Sequence, residues 1–298
     1  MNRRHFIQTL SALAAAPALA SEKAWKLNYM LASSMYGNLP LAEILPEVKK
    51  TGAAGIELWP MKHGTQREEL DQIGVEKFAA MLKAHDISFG GSTRYDLGPF
   101  KLTDEIKLVK QLGGNFIVTG GAGDWKDISS DQLKSNVKQF VEKMKPHAAL
   151  AAENGVVIAI ENHINNLIDT PDSLRWLADE IRAIPGIGVA LAPYHLPQES
   201  ALLVDLIKHM DAKMTLFYAW EHGLGCMKAM PKEEELQQMP GRGKLDWKPL
   251  LSALKEISFT GPTEIFMHPT PRGIPILPTA AETTAEIIRA KQHLDSLI

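Results

Sequence analysis

The sequence lacks the features that mark several common protein classes. Among its 298 residues there is one cysteine, Cys226, so an internal disulfide framework and a cysteine-based zinc site are excluded. The formal net charge is only −3, which gives no electrostatic reason to expect nucleic acid or an anionic membrane surface as a partner. What is present, 45% hydrophobic and 22% charged residues, is the composition of an ordinary globular protein.

The first 20 residues, MNRRHFIQTLSALAAAPALA, differ in character from the rest of the chain. They begin with Arg3 and Arg4, continue as a short apolar run and end in small residues, which is the pattern of a secretory signal peptide. The run is too short to span a bilayer. The segment NRRHFIQ resembles the twin-arginine export motif, so we predict a signal peptide of that type over residues 1–20, with a plain secretory signal as the alternative. The mature protein is then expected in a periplasm or otherwise exported, without insertion into the membrane.

From residue 25 onward, short apolar runs alternate with longer amphipathic stretches. Strand-like runs lie at 26–32, 55–59, 87–92, 115–119, 156–161, 187–192, 214–220 and 263–267. The strands are nearly continuous apolar runs, as expected for a parallel sheet that is covered on both faces. Eight strand–helix units in about 275 residues fit a (β/α)8 barrel, whose usual size is about 250 residues. We therefore predict a single-domain α/β TIM barrel over residues 25–298.

Histidines are concentrated after the predicted strands. Of the ten histidines, five come just after a strand: His63, His163, His195, His222 and His268. Active sites of this barrel lie at the carboxyl ends of the strands. The placement therefore indicates a functional edge, although any one of these histidines fits a loop position without a role equally well.

Three glutamates, Glu57, Glu161 and Glu264, lie inside predicted strands. A carboxylate in such a strand has to be paired, protonated or bound to a metal, because burying it alone costs several kcal/mol. Glu161, in the sequence AIENH, is the strongest functional candidate. Glu264 shares a strand face with His268, since alternate residues of a strand point the same way. Glu57 fits a structural ion pair as well as it fits a functional role.

Aromatic and glycine-rich segments also fall at strand ends. Trp59, Trp125 and Trp220 are placed where they can stack on sugar rings or simply close the top of the barrel. The segment VTGGAGDW, residues 118–125, offers backbone amides that a ligand can approach closely. The long connection 221–245 is a candidate lid.

These residues resemble the sugar phosphate isomerase/epimerase family, the xylose-isomerase-like TIM barrels. The similarity covers essentially the whole mature chain and is carried by GIELW, VVIAIENH, LAPYHL and the C-terminal segment GRGKLDWKPLLSALKEISFTGPTEIF. The resemblance implies a divalent metal held by a glutamate of strand five, an aspartate of strand six, a histidine of strand seven and a glutamate of strand eight. In the family the two glutamates also move the proton next to a carbonyl, while the metal polarises the sugar oxygens.

The ligands that the family implies carry over only in part. Glu161 matches the strand-five glutamate, and His195 matches a histidine that contacts substrate in the family. Ala192 stands where the family has its aspartate. Tyr218 and Trp220 stand where the strand-seven histidine is expected. The resemblance therefore implies a metal site that is altered in this chain.

Strand eight and the nearby histidines leave two arrangements open. Phe266 takes the usual place of the family's last glutamate, with Glu264 two residues earlier on the same strand face. A rebuilt cage for a divalent Mn, Zn, Co or Mg ion would use five side chains: Glu161, His163, His195, Glu264 and His268. Without a metal, His195 and Glu161 would act as acid and base, while Tyr194 or Tyr218 and Arg272 would steady an enolate.

The expected function is that of an exported isomerase or epimerase that acts on an unphosphorylated sugar or keto-glycoside by abstracting a proton next to a carbonyl, with the assistance of a divalent metal. The expected catalytic residues are Glu161, His195 and Glu264. Substrate contacts are expected from seven side chains: Glu57, Trp59, His63, Tyr194, Tyr218, Trp220 and Arg272. The alternatives are a 3-keto-glycoside lyase or hydratase, and a non-catalytic carbohydrate-binding barrel whose metal site has decayed. No nucleic-acid partner is expected, and the sequence leaves a homodimer open.

Overall fold

The computed structural model describes residues 25–221 and 228–298. In this part of the chain eight strands form a closed parallel barrel, in which each strand pairs with the next and the last pairs with the first. The strands are β1 (Asn28–Ala32), β2 (Gly55–Leu58), β3 (Ser88–Thr93), β4 (Phe116–Gly120), β5 (Val157–Glu161), β6 (Ile187–Leu191), β7 (Met214–Ala219) and β8 (Pro262–Ile265). The predicted (β/α)8 barrel is therefore confirmed, and every strand overlaps its predicted run.

Helices cover the outside of the barrel. They are α1 (Leu41–Thr51), α2 (Gln66–Ile73), α3 (Val75–Ala84), α4 (Thr103–Gln111), α5 (Ser130–Glu153), α6 (Pro171–Ile181), α7 (Ser200–Met210), α8 (Lys232–Glu235), α9 (Trp247–Glu256) and α10 (Ala280–Asp295). In α1 the residues Leu41, Ile44, Leu45 and Val48 are buried, which is the spacing of one helix face. The short helices α2 and α8 were not predicted, because QREELDQI and KEEE hold too few apolar residues to show a period.

The strands carry side chains that are buried on both sides of the sheet. All residues of β2, β4 and β6 are buried, because helices cover one face and the barrel interior fills the other. In β3, a Cβ atom on Gly91 would lie 2.1 Å from the carbonyl oxygen of Phe116, so only glycine allows this approach of β4. The pairing of β2 with β3 shifts between Ile56 and Glu57. Glu57 consequently lies beside Gly91, a position without a side chain.

Hydrogen bonds join the two ends of the long connection after β7, the candidate lid. The buried carboxylate of Glu221 accepts hydrogen bonds from Leu245 N at 2.9 Å and from Trp247 Nε1 at 3.1 Å. Residues 222–227 of this connection, with His222 and Cys226, lie outside the described residues, as does the predicted signal peptide. Among residues 25–221 and 228–298, none of the helices combines the length and the apolarity needed to cross a membrane.

Candidate active site

A cavity of about 320 Å³ opens at the carboxyl ends of the strands. Its lining is rich in aromatic and titratable side chains: Trp59, His63, Tyr95, Glu161, His163, His195, Trp220, His268 and Arg272. All of them except Tyr95 were singled out in the sequence. The structure thus brings together side chains that follow or end β2, β3, β5, β6, β7 and β8, at the edge where this barrel carries active sites.

Four of the lining residues are histidines, and they form two close pairs. The ring centroids of His63 and His268 are 4.3 Å apart, and those of His163 and His195 are 4.1 Å apart. Burial lowers the pKa of His63 to about 4, and burial also lowers the pKa of His163 and of His268. These three imidazoles are therefore neutral at pH 7. Since Nδ1 of His163 lies 2.6 Å from the carbonyl oxygen of Ile164, Nδ1 carries the proton and Nε2 remains an acceptor.

Glu161, at the end of β5, is the carboxyl group that reaches the cavity. The hydroxyl of Tyr95 donates to Glu161 Oε2 at 2.8 Å, and His195 Nε2 lies 3.8 Å from Oε1. Burial raises the pKa of the Glu161 carboxyl to about 8, although the hydrogen bond from Tyr95 acts in the opposite direction. At neutral pH the carboxyl of Glu161 is therefore mostly protonated, and it faces the imidazole of His195.

Glu57 and Glu264 lie deeper in the barrel and form no part of the cavity lining. Glu57 accepts hydrogen bonds from Thr93 Oγ1 at 2.6 Å and from Trp59 Nε1 at 2.5 Å, and burial raises its pKa to about 7. Among the described residues, no backbone, hydroxyl, amide or basic group donates a hydrogen bond to Glu264, and its hydrogen-bonding partner is the carboxyl group of Glu57. Burial, followed by the negative charge of Glu57, raises the pKa of Glu264 well above its usual range. Glu57, which was predicted to contact substrate, supports Trp59 instead.

Trp59 and Trp220 form aromatic walls of the cavity, and other aromatic rings hold them in place. Trp59 stacks on Phe266 with a centroid distance of 5.2 Å, and Trp220 stacks on Tyr194 at 3.9 Å with an angle of 7° between the ring planes. Tyr194 and Tyr218, both predicted to contact substrate, do not line the cavity. Tyr194 instead orients Trp220, and the buried hydroxyl of Tyr218 has no hydrogen-bond partner within the described chain.

Arg272 supplies the permanent positive charge of the cavity lining. Its Nη1 donates to the carbonyl oxygen of Pro269 at 2.7 Å, inside the proline-rich segment that follows β8. The positive charge of Arg272 also contributes to the lowered pKa values of His63 and His268. A guanidinium at this place can balance negative charge on a bound substrate.

The residues present do not fit the metal cage that the resemblance implies. The aspartate position of that cage is Ala192, the last glutamate position is Phe266, and the histidine position falls on Tyr218 or Trp220. All four side chains are buried, and the aromatic ones pack on one another. Aromatic rings and a methyl group therefore fill the space where carboxylate and imidazole ligands would converge.

The rebuilt cage is not assembled either. Its five predicted members are Glu161, His163, His195, Glu264 and His268. Glu264 lies below the cavity, and the histidine rings pack against each other in pairs. Within residues 25–221 and 228–298, no group of three histidine, cysteine, aspartate or glutamate side chains is arranged to hold a metal ion.

An amide holds the strand end where the family's aspartate would be. Asn162 Oδ1 accepts a hydrogen bond from Ala192 N at 2.8 Å, and Asn162 Nδ2 donates to Ala192 O at 3.0 Å. This pair of bonds joins the ends of β5 and β6, and it places His195, which follows Ala192, next to Glu161. In the sequence Asn162 was noted only as a neighbour of Glu161.

Tyr95 is the residue of the cavity lining that was not predicted from the sequence. It follows β3 by two positions, and its side chain remains 37% exposed although its hydroxyl reaches Glu161. The one signal that could have identified it is its position just after a strand, which is the same signal that pointed to the histidines.

Among solved structures, a crystal structure of the IolI protein with a bound zinc atom superimposes on this chain with a TM-score of 0.71. The identity is 17% over 91% of this chain and 99% of that one. The D-psicose 3-epimerase of Clostridium cellulolyticum H10, solved with D-tagatose, gives a TM-score of 0.66 at 15% identity over 91% and 99% of the two chains. The probable 3-DHS dehydratase AsbF of Bacillus anthracis gives 0.65 at 16% identity over 88% and 97%.

No curated protein sequence matches the chain. The structural similarities, at such low identities, show the fold alone. A sequence profile described as xylose isomerase-like TIM barrel, in contrast, matches residues 45–291, which is most of the chain. The match agrees with the strand motifs from which the resemblance was drawn. The protein belongs to the family of xylose isomerase-like TIM barrels.

Proposed function

We propose that this protein is an exported enzyme that isomerises or epimerises an unphosphorylated sugar by moving a proton next to its carbonyl group. The observation that carries the proposal is the pair formed by Glu161 and His195 at the cavity. A carboxyl group with a pKa of about 8 lies 3.8 Å from an imidazole nitrogen, so an acid and a base face one another within reach of a bound substrate.

Each side chain of the pair has a definite part in this reaction. Glu161, mostly protonated at neutral pH, delivers a proton to a substrate carbon or oxygen. His195 accepts the proton that leaves the carbon next to the carbonyl. Tyr95 occupies Oε2 of Glu161 and so directs Oε1 toward His195. Arg272 balances the charge of the enolate that forms between the two proton transfers.

The cavity suits a sugar ring. Trp59 and Trp220 offer aromatic faces for the C–H side of a pyranose or furanose, and the neutral histidines offer hydrogen-bond partners for hydroxyl groups. The predicted export signal favours a substrate without phosphate, because free sugar phosphates are scarce outside the cytoplasm. Two solved structures of this fold are named as a sugar epimerase and a dehydratase, and proton abstraction next to a carbonyl is a step that both reaction types share.

The test is the exchange of a carbon-bound hydrogen in heavy water, followed by NMR, with ketohexoses and 3-keto-glycosides as substrates. We expect the wild-type protein to incorporate deuterium next to the carbonyl of at least one of these sugars. The variant Glu161→Gln should lose about 10²–10⁴-fold in rate, because general acid–base catalysis contributes a factor of that size. A rearranged sugar as product supports the isomerase or epimerase, whereas a free aglycone and an unsaturated sugar would identify the lyase.

Two controls complete the experiment. Glu142→Gln makes the same change on the exposed surface of α5, where Glu142 pairs with Lys145 at 2.6 Å, and it should leave the exchange rate unchanged. Treatment with a chelator should also leave the rate unchanged, because the described residues do not assemble a metal cage. If sugars bind but no hydrogen exchanges, the protein is a carbohydrate-binding barrel and the enzyme proposal fails.

A further inference from the structure

A second depression adjoins the cavity, and we call it the side groove. Its volume is about 430 Å³, and it is lined by the segments 98–99, 119–122 and 163–166 together with Tyr95. Tyr95 and His163 line both the side groove and the cavity, so the two spaces meet at these side chains. Each volume falls within the range of about 300–1,000 Å³ that is typical of small-molecule sites.

The glycine-rich segment after β4 builds the floor of the side groove. A Cβ atom on Gly120 would lie 2.7 Å from Cε1 of Tyr95, and one on Gly121 would lie 2.8 Å from Cγ1 of Ile168. The absence of a side chain at Gly120 thus makes room for the ring of Tyr95, which lines both spaces, and its absence at Gly121 makes room for Ile168. Residues 119–122 of the glycine-rich segment VTGGAGDW thus line the side groove.

The polar groups that line the side groove are uncharged at neutral pH. Its polar side chains are the hydroxyls of Thr119 and Tyr95, the amides of Asn165 and Asn166, and the neutral imidazole of His163. Among the residues that the structure describes, no lysine, arginine, aspartate or glutamate lines it. Asn166 Oδ1 accepts a hydrogen bond from Ile168 N at 2.7 Å, which fixes the orientation of its amide. Amides, hydroxyls and backbone groups suit the hydroxyls of a neutral sugar and offer no counter-charge for a phosphate or carboxylate.

The junction of the two spaces lies beside the catalytic carboxyl. The ring centroids of Tyr95 and His163 are 5.6 Å apart, and the Tyr95 hydroxyl is 2.8 Å from Glu161. A ligand that filled both spaces would place the bond between its two halves next to these groups. We propose that the side groove binds a second sugar ring, so that the substrate is a glycoside of at least two sugar units whose reacting ring occupies the cavity. This inference rests on the function proposed above.

The test compares the binding of one-ring and two-ring ketoses by calorimetry. D-fructose is the one-ring probe, and turanose, lactulose and isomaltulose, which carry a second hexose on different oxygens of fructose, are the two-ring probes. We expect at least one disaccharide to bind about tenfold more tightly than D-fructose, a gain of about 1.4 kcal/mol. If every disaccharide binds no better than D-fructose, the second subsite does not exist.

Variants of the side groove test whether the higher affinity for a disaccharide comes from this groove. Ala122→Trp enlarges a half-buried lining residue and should abolish the advantage of the disaccharide while the affinity for D-fructose stays within about twofold. Asn165→Gly removes one amide, and it keeps the backbone relaxed because Asn165 has a φ of +62°. It should weaken disaccharide binding alone. Lys126→Trp, in the same loop but exposed and outside both spaces, is the matched control and should change neither affinity.

The outcomes separate this inference from the proposed function. If D-fructose binds and exchanges hydrogen but Ala122→Trp lowers the affinities for one ring and two rings equally, the inference fails and the enzyme remains. If none of these sugars binds and no carbon-bound hydrogen exchanges, both fail. A disaccharide advantage that Ala122→Trp removes and Lys126→Trp retains supports the second subsite.

Discussion

Two buried glutamates, Glu105 and Glu264, show how differently this chain treats a carboxylate inside and outside the barrel. Glu105, on α4, accepts hydrogen bonds from Arg67 Nη2 at 2.8 Å, from Ser92 Oγ at 2.5 Å and from Arg94 Nη1. Glu264, on β8, is equally buried, but no arginine, lysine or hydroxyl group among the described residues donates to it, and it shares a hydrogen bond only with another carboxyl group, that of Glu57. The first carboxylate is fully compensated, whereas the second is left to keep its proton.

The contrast distinguishes a buried carboxylate that stabilises the fold from one whose placement suits an active site. An uncompensated buried acid costs free energy, and a chain that supplies two arginines to Glu105 has the means to avoid this cost. Ser92 and Thr93 are neighbours on β3, and the alternation of side chains sends Ser92 toward Glu105 and Thr93 toward Glu57. The strand β3 thus donates hydrogen bonds to the carboxylates of both Glu105 and Glu57. Two buried acids that share a site without a counter-charge, as Glu57 and Glu264 do next to the cavity, are an arrangement that active sites use to shift pKa values.

The largest expected effect in this comparison follows from removing the charge of the compensated glutamate. Glu105→Gln leaves Arg67 and Arg94 facing a neutral amide in a buried place. We expect the free energy of unfolding at pH 7 to fall by about 3–5 kcal/mol, which is the cost of breaking a buried ion pair from one side. Urea unfolding followed by circular dichroism measures it. A loss below about 1 kcal/mol would mean that the ion pairs of Glu105 with Arg67 and Arg94 do not stabilise the folded protein.

The same substitution at the uncompensated glutamate should have the opposite consequence. In the wild-type protein the raised pKa of Glu264 means that the folded state keeps a proton which the unfolded state loses above about pH 4.3. The unfolded state then binds fewer protons, so the free energy of unfolding decreases as pH rises, by about 1.4 kcal/mol per pH unit. Glu264→Gln removes this contribution, and the variant should become more stable relative to the wild type at each step from pH 5 to pH 7.

Urea unfolding of both proteins over that pH range supplies the measurement. The difference between the two curves is the informative quantity, because the amide introduced by Glu264→Gln can still donate a hydrogen bond to Glu57, as the protonated carboxyl of Glu264 does, so Glu57 keeps this donor in both proteins. Parallel curves for the wild type and Glu264→Gln would show that Glu264 is ionised in the folded protein. In that case the contrast with Glu105 would disappear.

The fold and the location of the site were predictable from the sequence for one physical reason. A parallel barrel needs continuous apolar runs such as IGVALA, whose strand β6 is fully buried, and these runs stand out against the amphipathic helices. Once the strands are placed, the topology brings every residue after a strand to the same edge. His63 and His268, far apart in the chain, accordingly have ring centroids 4.3 Å apart.

The contacts within the site were not predictable, because they depend on details that a hydrophobic pattern does not encode. Glu57 and Glu161 look alike in the sequence, each in an apolar strand. Glu57 lies inside the barrel because the pairing of β2 and β3 is shifted at this residue. There its carboxylate accepts hydrogen bonds from Thr93 and Trp59. The loop after β3 brings Tyr95 to Glu161. The partner of a buried acid is thus decided by register and loop path, which appear only in three dimensions.

The smallest expected effect on stability comes from removing one hydrogen bond to Glu57, the one that Thr93 donates. Thr93→Val keeps the branched shape that suits a strand and removes the hydroxyl that donates to Glu57 Oε1 at 2.6 Å. We expect a loss of about 1 kcal/mol in the free energy of unfolding. Since this hydrogen bond lowers the pKa of Glu57, the pKa should also rise above its present value of about 7.

The matched control is Thr263→Val on β8, because the buried hydroxyl of Thr263 has no hydrogen-bond partner in the described part of the chain. Replacing an unpaired buried hydroxyl by a methyl group should leave the stability unchanged or increase it. Carboxyl-carbon NMR then follows the pKa of Glu57 in both variants. An equal loss of stability in the two variants, with no change in that pKa, would show that Thr93 acts through packing. A loss confined to Thr93→Val would show that the hydroxyl of Thr93 stabilises the carboxylate of Glu57 inside the barrel.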